Sequence, residues 1–546
     1  IKVILHEDNK TLNEIVVIGY ATGSKYTISG VVEKVNKEDL NQGVVLNPMD
    51  ALKGKVSGVY ISQNGGDPSA TPNIRVRGTT SLSGGSDPLV IIDGVYGDLS
   101  MLKDLPSADI ESVTILKDAS ETAQYGSRGA SGVIVITTKK GKFGLSEVDY
   151  EGQFGFNSIF KNLRMLSATD FLSTASKLGL TAENKGGATD WINTVERNNG
   201  ITQNHNLSFS SGNKLSNMRA SLGVLQRQGI IRNTDMINYS AKFDGMQLAL
   251  NKRLRLEVGS IASENEDHDI YDLTQFFFSA ATFNPTYQTV KNSNNVWDEN
   301  YSANYLANPL GQLEVTNKND KASLNLHGRA VFTIVDGLDL STFGSYTYID
   351  SNYKRYIPND VLQGKSDDGS AYLWKGNYKN LMGNIQLDYS KDFALHHIDA
   401  LALVEGQIYN TFTSSELCKG FETNYFKYNN LEAGANVTWG DITSYASKYK
   451  IFSYMARLNY VYASKYIATV NLRRDGSSKL GNGNKWGTFP SASLAWVISN
   501  ETFMKYFRTI NNFKLRIGYG VTGNQDAIEP YNSLSLYGPN GVSVIN

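Results

Sequence analysis

The side chains that could do chemistry are dispersed along this chain. Acidic pairs stand at Glu266-Asp267 and Asp367-Asp368, the residue type that paired-carboxylate hydrolysis needs. Both sit in polar or Gly/Ser-rich stretches that read as solvated loops. Six histidines (His6, His205, His268, His327, His396, His397) show no HExxH-like spacing. Neighbours such as His396 and His397 point to opposite faces of a strand and cannot share a metal. Cys418 is the single cysteine, which excludes an internal disulfide and a CxxC site; its polar surroundings read as a loop, where a thiol is inert. Gly126, Gly129 and Gly132 mimic a nucleotide loop but lack the GxG core. The most informative spacing is IRVRG at residues 74–78, which sets Arg75 and Arg77 on one face of a strand and Ile74 and Val76 on the other. Two guanidiniums so placed can grip carboxylates bidentately. That is the chemistry of holding, not of bond breaking.

The elements that position these residues follow from composition and pattern. Of 546 residues, 52 are basic and 53 acidic, a net charge of −1, so no field draws in nucleic acid or an anionic lipid surface. Hydrophobic residues make up only 40%. A membrane β-barrel needs apolar residues only at alternate positions, so this low average is compatible with one. The 31 Tyr and 50 Gly suit aromatic girdles and tight bends. The longest compact apolar runs, 89–92 and 133–136, are each one strand long, which excludes a spanning helix of about 20 residues.

Four zones are expected. Residues 1–12 (opening IKVILHEDNK) read as a strand and turn, the end of a preceding small β domain. Residues 13–19 (NEIVVIG) are a short β-branched string. Residues 20–142 are Gly-rich and mix strands with short helices; the run 133–138 reads as a strand buried on both faces. From 146 to 546 the pattern is strand and turn. Tyr454, Ala456, Leu458, Tyr460 and Tyr462 alternate with Met455, Arg457, Asn459 and Val461; Met218, Ala220, Leu222 and Val224 alternate with Arg219, Ser221 and Gly223. A soluble sandwich turns its apolar face inward; a membrane barrel turns it toward lipid. Short turns at Asp336-Gly337 and Ala463-Ser464-Lys465 contrast with long polar connections at 264–272, 292–307 and 357–377. Short turns at one end and long loops at the other are the outer-membrane pattern.

Three strings, IRVRG at 74–78, LVIIDGV at 89–95 and DIESVTILKDASETAQYGSRGASGVIVITTKKG at 109–141, resemble the plug domain of TonB-dependent outer-membrane transporters of the SusC-like (SusC/RagA) type from Bacteroides-group bacteria. Further stretches are similar, among them 207–213 (LSFSSGN), 473–478 (RRDGSS) and 515–525 (LRIGYGVTGNQ). The resemblance runs from about residue 13 to the end and is weakest over 265–450.

The resemblance implies a mainly β fold: a large antiparallel transmembrane β-barrel, of about 22 strands in the full protein, with a small α/β plug domain inside its lumen. At roughly 10 residues per strand, residues 146–546 hold somewhat over half of such a barrel, incomplete at the C-terminus. Glu14, Ile15, Val16, Val17, Ile18 and Gly19 resemble the TonB box, an extended segment able to add as a strand to a periplasmic partner's sheet. Plug and gating roles carry over to Arg75, Arg77, Gly78, Asp93, Gly94, Glu111, Lys117, Tyr125, Gly126, Arg128 and Gly129. Arg75 and Arg77 are expected to face the wet barrel wall and pair with its carboxylates. The implied activity is energy-driven import of large nutrients, oligosaccharides or glycans first and oligopeptides as the alternative, across the outer membrane. Implied partners are a SusD-like surface lipoprotein as lid, TonB with its inner-membrane proton-driven complex, and outer-membrane lipid. Trp297, Trp374 and Trp439 are candidates for stacking on sugar rings. No catalytic residue, no cofactor and no metal site is expected, a loop-bound Ca2+ being left open. The competing class is a soluble all-β glycan-binding protein, which accounts for the alternation but not for the plug strings; a glycoside hydrolase is the third.

Overall fold

The computed structural model describes residues 15–18, 21–24, 29–30, 32–41, 48–62, 67–82, 84–160, 163–299, 306–507, 509–510 and 512–537. Residues 1–12, expected to end a preceding domain, lie outside these, as do Glu14 and Gly19.

Two short strands, β1 (Ile15–Ile18) and β2 (Ala21–Ser24), pair as an antiparallel hairpin. A five-stranded mixed sheet follows, built from β3 (Val32–Asn36), β6 (Leu89–Ile92), β7 (Val95–Gly97), β8 (Ile110–Leu116) and β9 (Val133–Thr138) in the order β3-β8-β9-β6-β7. Only β6 and β9 run parallel. A separate hairpin joins β4 (Val59–Ser62) and β5 (Asn73–Val76). The β-branched run of β9 is buried on both faces as its sequence implied: Val133, Ile134, Val135 and Ile136 pack with Val90, Ile92, Val113 and Ile115 in one core. Beside it the short helix α1 (Ala119–Thr122) leads into a kinked 3-10 turn over Ala123–Arg128.

The remaining strands form one 14-stranded antiparallel sheet. In chain order these are β10 (Ser146–Asn157), β11 (Gly200–Gly212), β12 (Ser216–Gln228), β13 (Asp235–Ala249), β14 (Leu254–His268), β15 (Thr316–Val335), β16 (Leu338–Ile357), β17 (Ser370–Phe393), β18 (His396–Phe421), β19 (Gly434–Asn436), β20 (Ile442–Tyr462), β21 (Tyr466–Ser477), β22 (Trp486–Val497) and β23 (Lys514–Gly520). Each pairs with the next, except that the short β19 pairs only with β18, which continues to β20.

The faces decide between lipid and water. Along β20 and β21, Tyr454, Leu458, Val470 and Leu472 are about half exposed, whereas Met455, Arg457, Asn459, Asn471 and Arg473 are buried. Val148, Tyr150, Phe154 and Phe156 on β10 are each more than half exposed. Apolar side chains face outward and polar ones inward, the reverse of a soluble sandwich. An outward apolar band spread over so many strands needs lipid to cover it. The inner face instead meets the small mixed sheet, whose core extends into Ile261, Phe343 and Met382 of the wall.

Three expectations need correction. β14 runs to His268 and β17 begins at Ser370, so parts of the loops expected at 264–272 and 357–377 are strand. Strands β15 to β18 have 20, 20, 24 and 26 residues, about twice the roughly 10 that a bilayer requires; they pair on beyond the membrane, where the apolar alternation fades because both faces meet water. Cys418 is not in a polar loop: it lies on β18, buried against Tyr356, Ala371 and Phe421.

Candidate functional site

The α/β unit is fastened into the barrel by charged side chains that lie almost wholly out of solvent. The 3-10 turn after α1 aims Arg128 at the wall, where its Nη2 donates to Glu405 Oε1 on β18 at 3.1 Å. Arg473, two residues before Asp475 on β21, donates to the same Glu405 oxygen at 3.0 Å, to Asp475 Oδ1 at 2.6 Å and to the backbone oxygen of Gln124 at 2.9 Å. Asp475 Oδ2 accepts from the backbone N–H of Ser127 at 2.8 Å. Side-chain exposure is 8% for Arg128, 1% for Glu405 and 0% for Arg473. Gly126 makes this approach possible: its φ is +55°, and a Cβ there would lie 2.1 Å from Asp475 Oδ2.

A second set of contacts fastens the opposite side. Asp109 accepts from Arg219 of β12 at 2.9 Å and from Ser221 at 2.5 Å. Asp104 accepts from Lys321 at 3.1 Å and Ser323 at 3.0 Å, both on β15, and from Asn265 of β14 at 3.0 Å. Ion pairs in this setting repay their desolvation only while every partner is present, so the contact is strong when assembled and fails abruptly when one partner leaves.

Above this seam, on the side of the long loops, a cavity of about 350 Å³ opens between the inner unit and the wall. Tyr96 faces Tyr378, Tyr409 and Tyr449, with Arg128, Lys479, Asp98 and Asp526 also at its surface. Tyr409 and Tyr449 stack with centroids 4.4 Å apart and planes 9° from parallel. Lys479 Nζ stands 4.4 Å from the Tyr449 ring centroid, and the Arg128 guanidinium lies 4.2 Å from the centroid of Tyr96. A tyrosine-rich lining bordered by charged donors and acceptors suits a ligand that carries hydroxyls beside apolar stretches.

Residues 24–133 match the family model of the TonB-dependent Receptor Plug Domain. Over 569 residues the chain is 31% identical to the TonB-dependent receptor SusC of Bacteroides thetaiotaomicron, covering 98% of this chain and 56% of that relative. The chain belongs to the SusC-type TonB-dependent receptors. A second TonB-dependent receptor, from Formosa agariphila, is 30% identical over 548 residues, covering 98% of this chain and 54% of the relative. Among solved structures, the RagAB peptide importer in its open-open state superposes with a TM-score of 0.84 at 24% identity, over 97% of this chain and 63% of that one. The chain thus spans just over half the length of the curated relatives it matches. Receptors of this type are outer-membrane β-barrel proteins.

In this SusC-type receptor the inner unit is the plug, and the residues singled out from sequence fall into three groups. Arg128, Gly126 and Tyr125 lie in the segment that meets the wall; Tyr125 is buried edge-on to Tyr96. Asp93 and Gly94, with φ of +49° and +93°, form the β6–β7 turn. A Cβ on Gly94 would lie 3.1 Å from Phe343 of β16. Gly129 sits where a Cβ would be 2.2 Å from the Thr122 carbonyl oxygen, so it permits the turn after α1.

The remainder do not touch the barrel as expected. Arg75 pairs with Asp87 and Arg77 with Asp118, both within the plug, which overturns the expectation that they grip the wall. Arg75 lies on β5, which pairs with β4 of the plug, and Arg77 lies just past its end at φ +59°, so the two do not share one strand face. Lys117 pairs with Glu33 and donates to the Ser57 carbonyl at 2.7 Å, again inside the plug. Gly78 has φ +100° in open space, and Glu111 is exposed on β8. Of the TonB box, the backbone of Ile15–Ile18 is β1.

The three candidate tryptophans are separated. Trp297 packs between loops, with Nε1 donating to Glu314 at 3.0 Å; Trp374 folds over Gly376 on β17; Trp439 is 61% exposed in the loop after β19. None of them lines the tyrosine cavity. Sequence reasoning missed Glu405, Arg473, Asp475, Asp104 and Asp109 as partners. A signal was present: charged residues at lumen-facing parity in apolar-alternating strands, as with Arg473 and Asp475. Among the described residues no three His, Cys, Asp or Glu side chains converge as a metal site.

Proposed function

We propose that this receptor imports large nutrients by TonB-dependent active transport, and that its cargo is oligosaccharide. The observation that carries the reading is the plug seated across a polar lumen by buried ion pairs, inside a sheet whose outer face suits lipid. A seam of this kind holds against diffusion and yields to a directed pull. Cargo captured from outside, beneath a SusD-like lipoprotein lid, reaches the tyrosine cavity above the plug. The tyrosine-lined cavity supports a sugar reading, since Asp98 and Asp526 at its surface can accept from sugar hydroxyls. Trp439, exposed on the outer loop, is an earlier contact for the same cargo. TonB, driven by its inner-membrane complex, then takes hold of residues 14–19 by strand addition and displaces the plug. No bond in the cargo is broken, and the chain acts as a transporter rather than an enzyme.

The test is growth of the native host on single glycans and single peptides after deletion of residues 14–19, with expression verified. Loss on one glycan supports the reading and names the cargo. Loss confined to peptides, the cargo that RagAB is named for, keeps the transport but replaces the substrate. Growth unchanged on every nutrient that requires the intact receptor overturns energy-coupled import.

A further inference from the structure

Ser29 and Gly30 join three parts of the molecule at one point. The Ser29 hydroxyl is buried at 1% exposure, 2.7 Å from the Thr469 hydroxyl on β21 and 2.6 Å from that of Ser493 on β22. The Gly30 carbonyl accepts from Arg516 Nη1 of β23 at 3.2 Å. On the plug side, Gly30 lies flat against Glu121 of α1: a Cβ at position 30 would stand 2.2 Å from Glu121 Cγ and 2.3 Å from its Oε1. Glu121 is fully buried, and Arg457 of β20 is 3.9 Å away. The same helix is tied to the wall through the Ser120 carbonyl, which accepts from Asn471 at 3.2 Å and Ser491 at 3.0 Å.

We propose that Ser29–Gly30 is a force-bearing staple between β1 and the plug, whose release from β21–β23 uncovers Glu121 and frees the plug for displacement. The inference rests on the reading of residues 14–19 as the handle. A pull first opens the β1–β2 pairs; from Ile18 to Ser29 the chain then spans at most roughly 40 Å at about 3.5 Å per residue, and tension carried past it loads the Ser29 hydrogen bonds. The Ser29 contacts are neutral hydroxyl pairs and Gly30 adds one guanidinium–carbonyl hydrogen bond, a set weaker than the guanidinium–carboxylate pairs deeper in the seam. They therefore part before Arg128 leaves Glu405. Once Gly30 lifts, water reaches Glu121, and a buried carboxyl that gains water favours its ionised form, which opposes re-closure. Only glycine lies this close to Glu121, which ties the staple's identity to its position.

The experiment pulls the whole receptor, in liposomes, through a handle attached before residue 14, and compares wild type, Ser29→Ala, and S29C/S493C with its disulfide formed. The native Cys418 is buried away from this point. The expected result is a rupture that follows opening of the β1–β2 hairpin, shifted to lower force in Ser29→Ala and lost in the oxidised double cysteine. Import by the oxidised double cysteine is lost and returns with reductant. A rupture after hairpin opening with the same force and extension in all three proteins overturns the staple, as does undiminished import with the disulfide complete; the latter leaves energy-coupled import standing. Because rupture is read without cargo, failure of the import reading is seen separately, as absence of import in reduced protein that still ruptures as expected.

Discussion

Glu405 Oε1 on the barrel wall is shared by two arginines, Arg128 of the plug at 3.1 Å and Arg473 of the wall at 3.0 Å. The two partners are not equivalent. If the plug leaves, Glu405 keeps Arg473, and Arg473 keeps Asp475. The wall is therefore a pre-formed socket, and the plug contributes the replaceable charge.

Arg128→Ala is expected to weaken plug seating by about 1.5–3 kcal/mol, the range for hydrogen bonds to a charged group. Glu405→Ala removes the acceptor between two buried guanidiniums and is expected to cost about 3–5 kcal/mol. Denaturant midpoints of plug release, followed by protease access in liposomes, measure both. An Arg128→Ala loss equal to or larger than that of Glu405→Ala contradicts the socket.

Neutralising Arg75 and Arg77 together is expected to leave small-solute leak unchanged. Their carboxylate partners are Asp87 and Asp118 within the plug, and side-chain exposures of 27% and 52% keep both arginines in contact with water. Exposed pairs of this kind are worth about 0–1 kcal/mol. A liposome efflux assay decides; a leak comparable to that of Glu405→Ala would assign them a role at the seam after all.

Gly126→Ala is expected to unseat the plug locally. The new methyl group would stand 2.1 Å from Asp475 Oδ2, on a backbone with φ +55° and ψ −117°, a combination outside the left-handed helical region that glycine alone adopts readily. Gly144→Ala, also at positive φ but with open space around it, controls for backbone strain alone. Comparable leak from the two variants would show that the Asp475 contact does not matter.

Burial pushes the Glu121 carboxyl above its ordinary value of 4.5, against the pull of Arg457 and Lys514 and with a smaller push from Asp118. A carboxyl raised in the folded state is most compatible with folding below its unfolded value, and that stability is lost as pH rises through the folded one. Glu121→Gln is therefore expected to match wild type below pH 4.5 and to hold the plug more firmly than wild type at higher pH. Plug release measured across pH in both proteins checks this; parallel curves would mean that Glu121 does not titrate on release.

The sequence by itself determined what depends on near neighbours. Period-2 alternation names which side chains share a face, so the outward set with Tyr454 and Leu458 and the inward set with Arg457 and Asn459 are legible in the order of residues alone. Asp336-Gly337 and Asp93-Gly94 are readable as turns because positive φ favours those residue types. The β-branched run of β9 is legible because burial on both faces needs no alternation. What strand parity cannot say is which surface a face meets. Arg75 and Arg128 are the same residue type in the same plug. The pairing of β5 with β4 keeps Arg75 at home, while the kink at Gly126 carries Arg128 to a carboxylate 277 residues away in the chain. The staple at Ser29 spans 440 and 464 residues to its two partners. The full length of polar strands such as β17 and β18 is hidden for a related reason: above the bilayer both faces are wet, hydropathy loses its period, and only cross-strand hydrogen bonding still marks the strand.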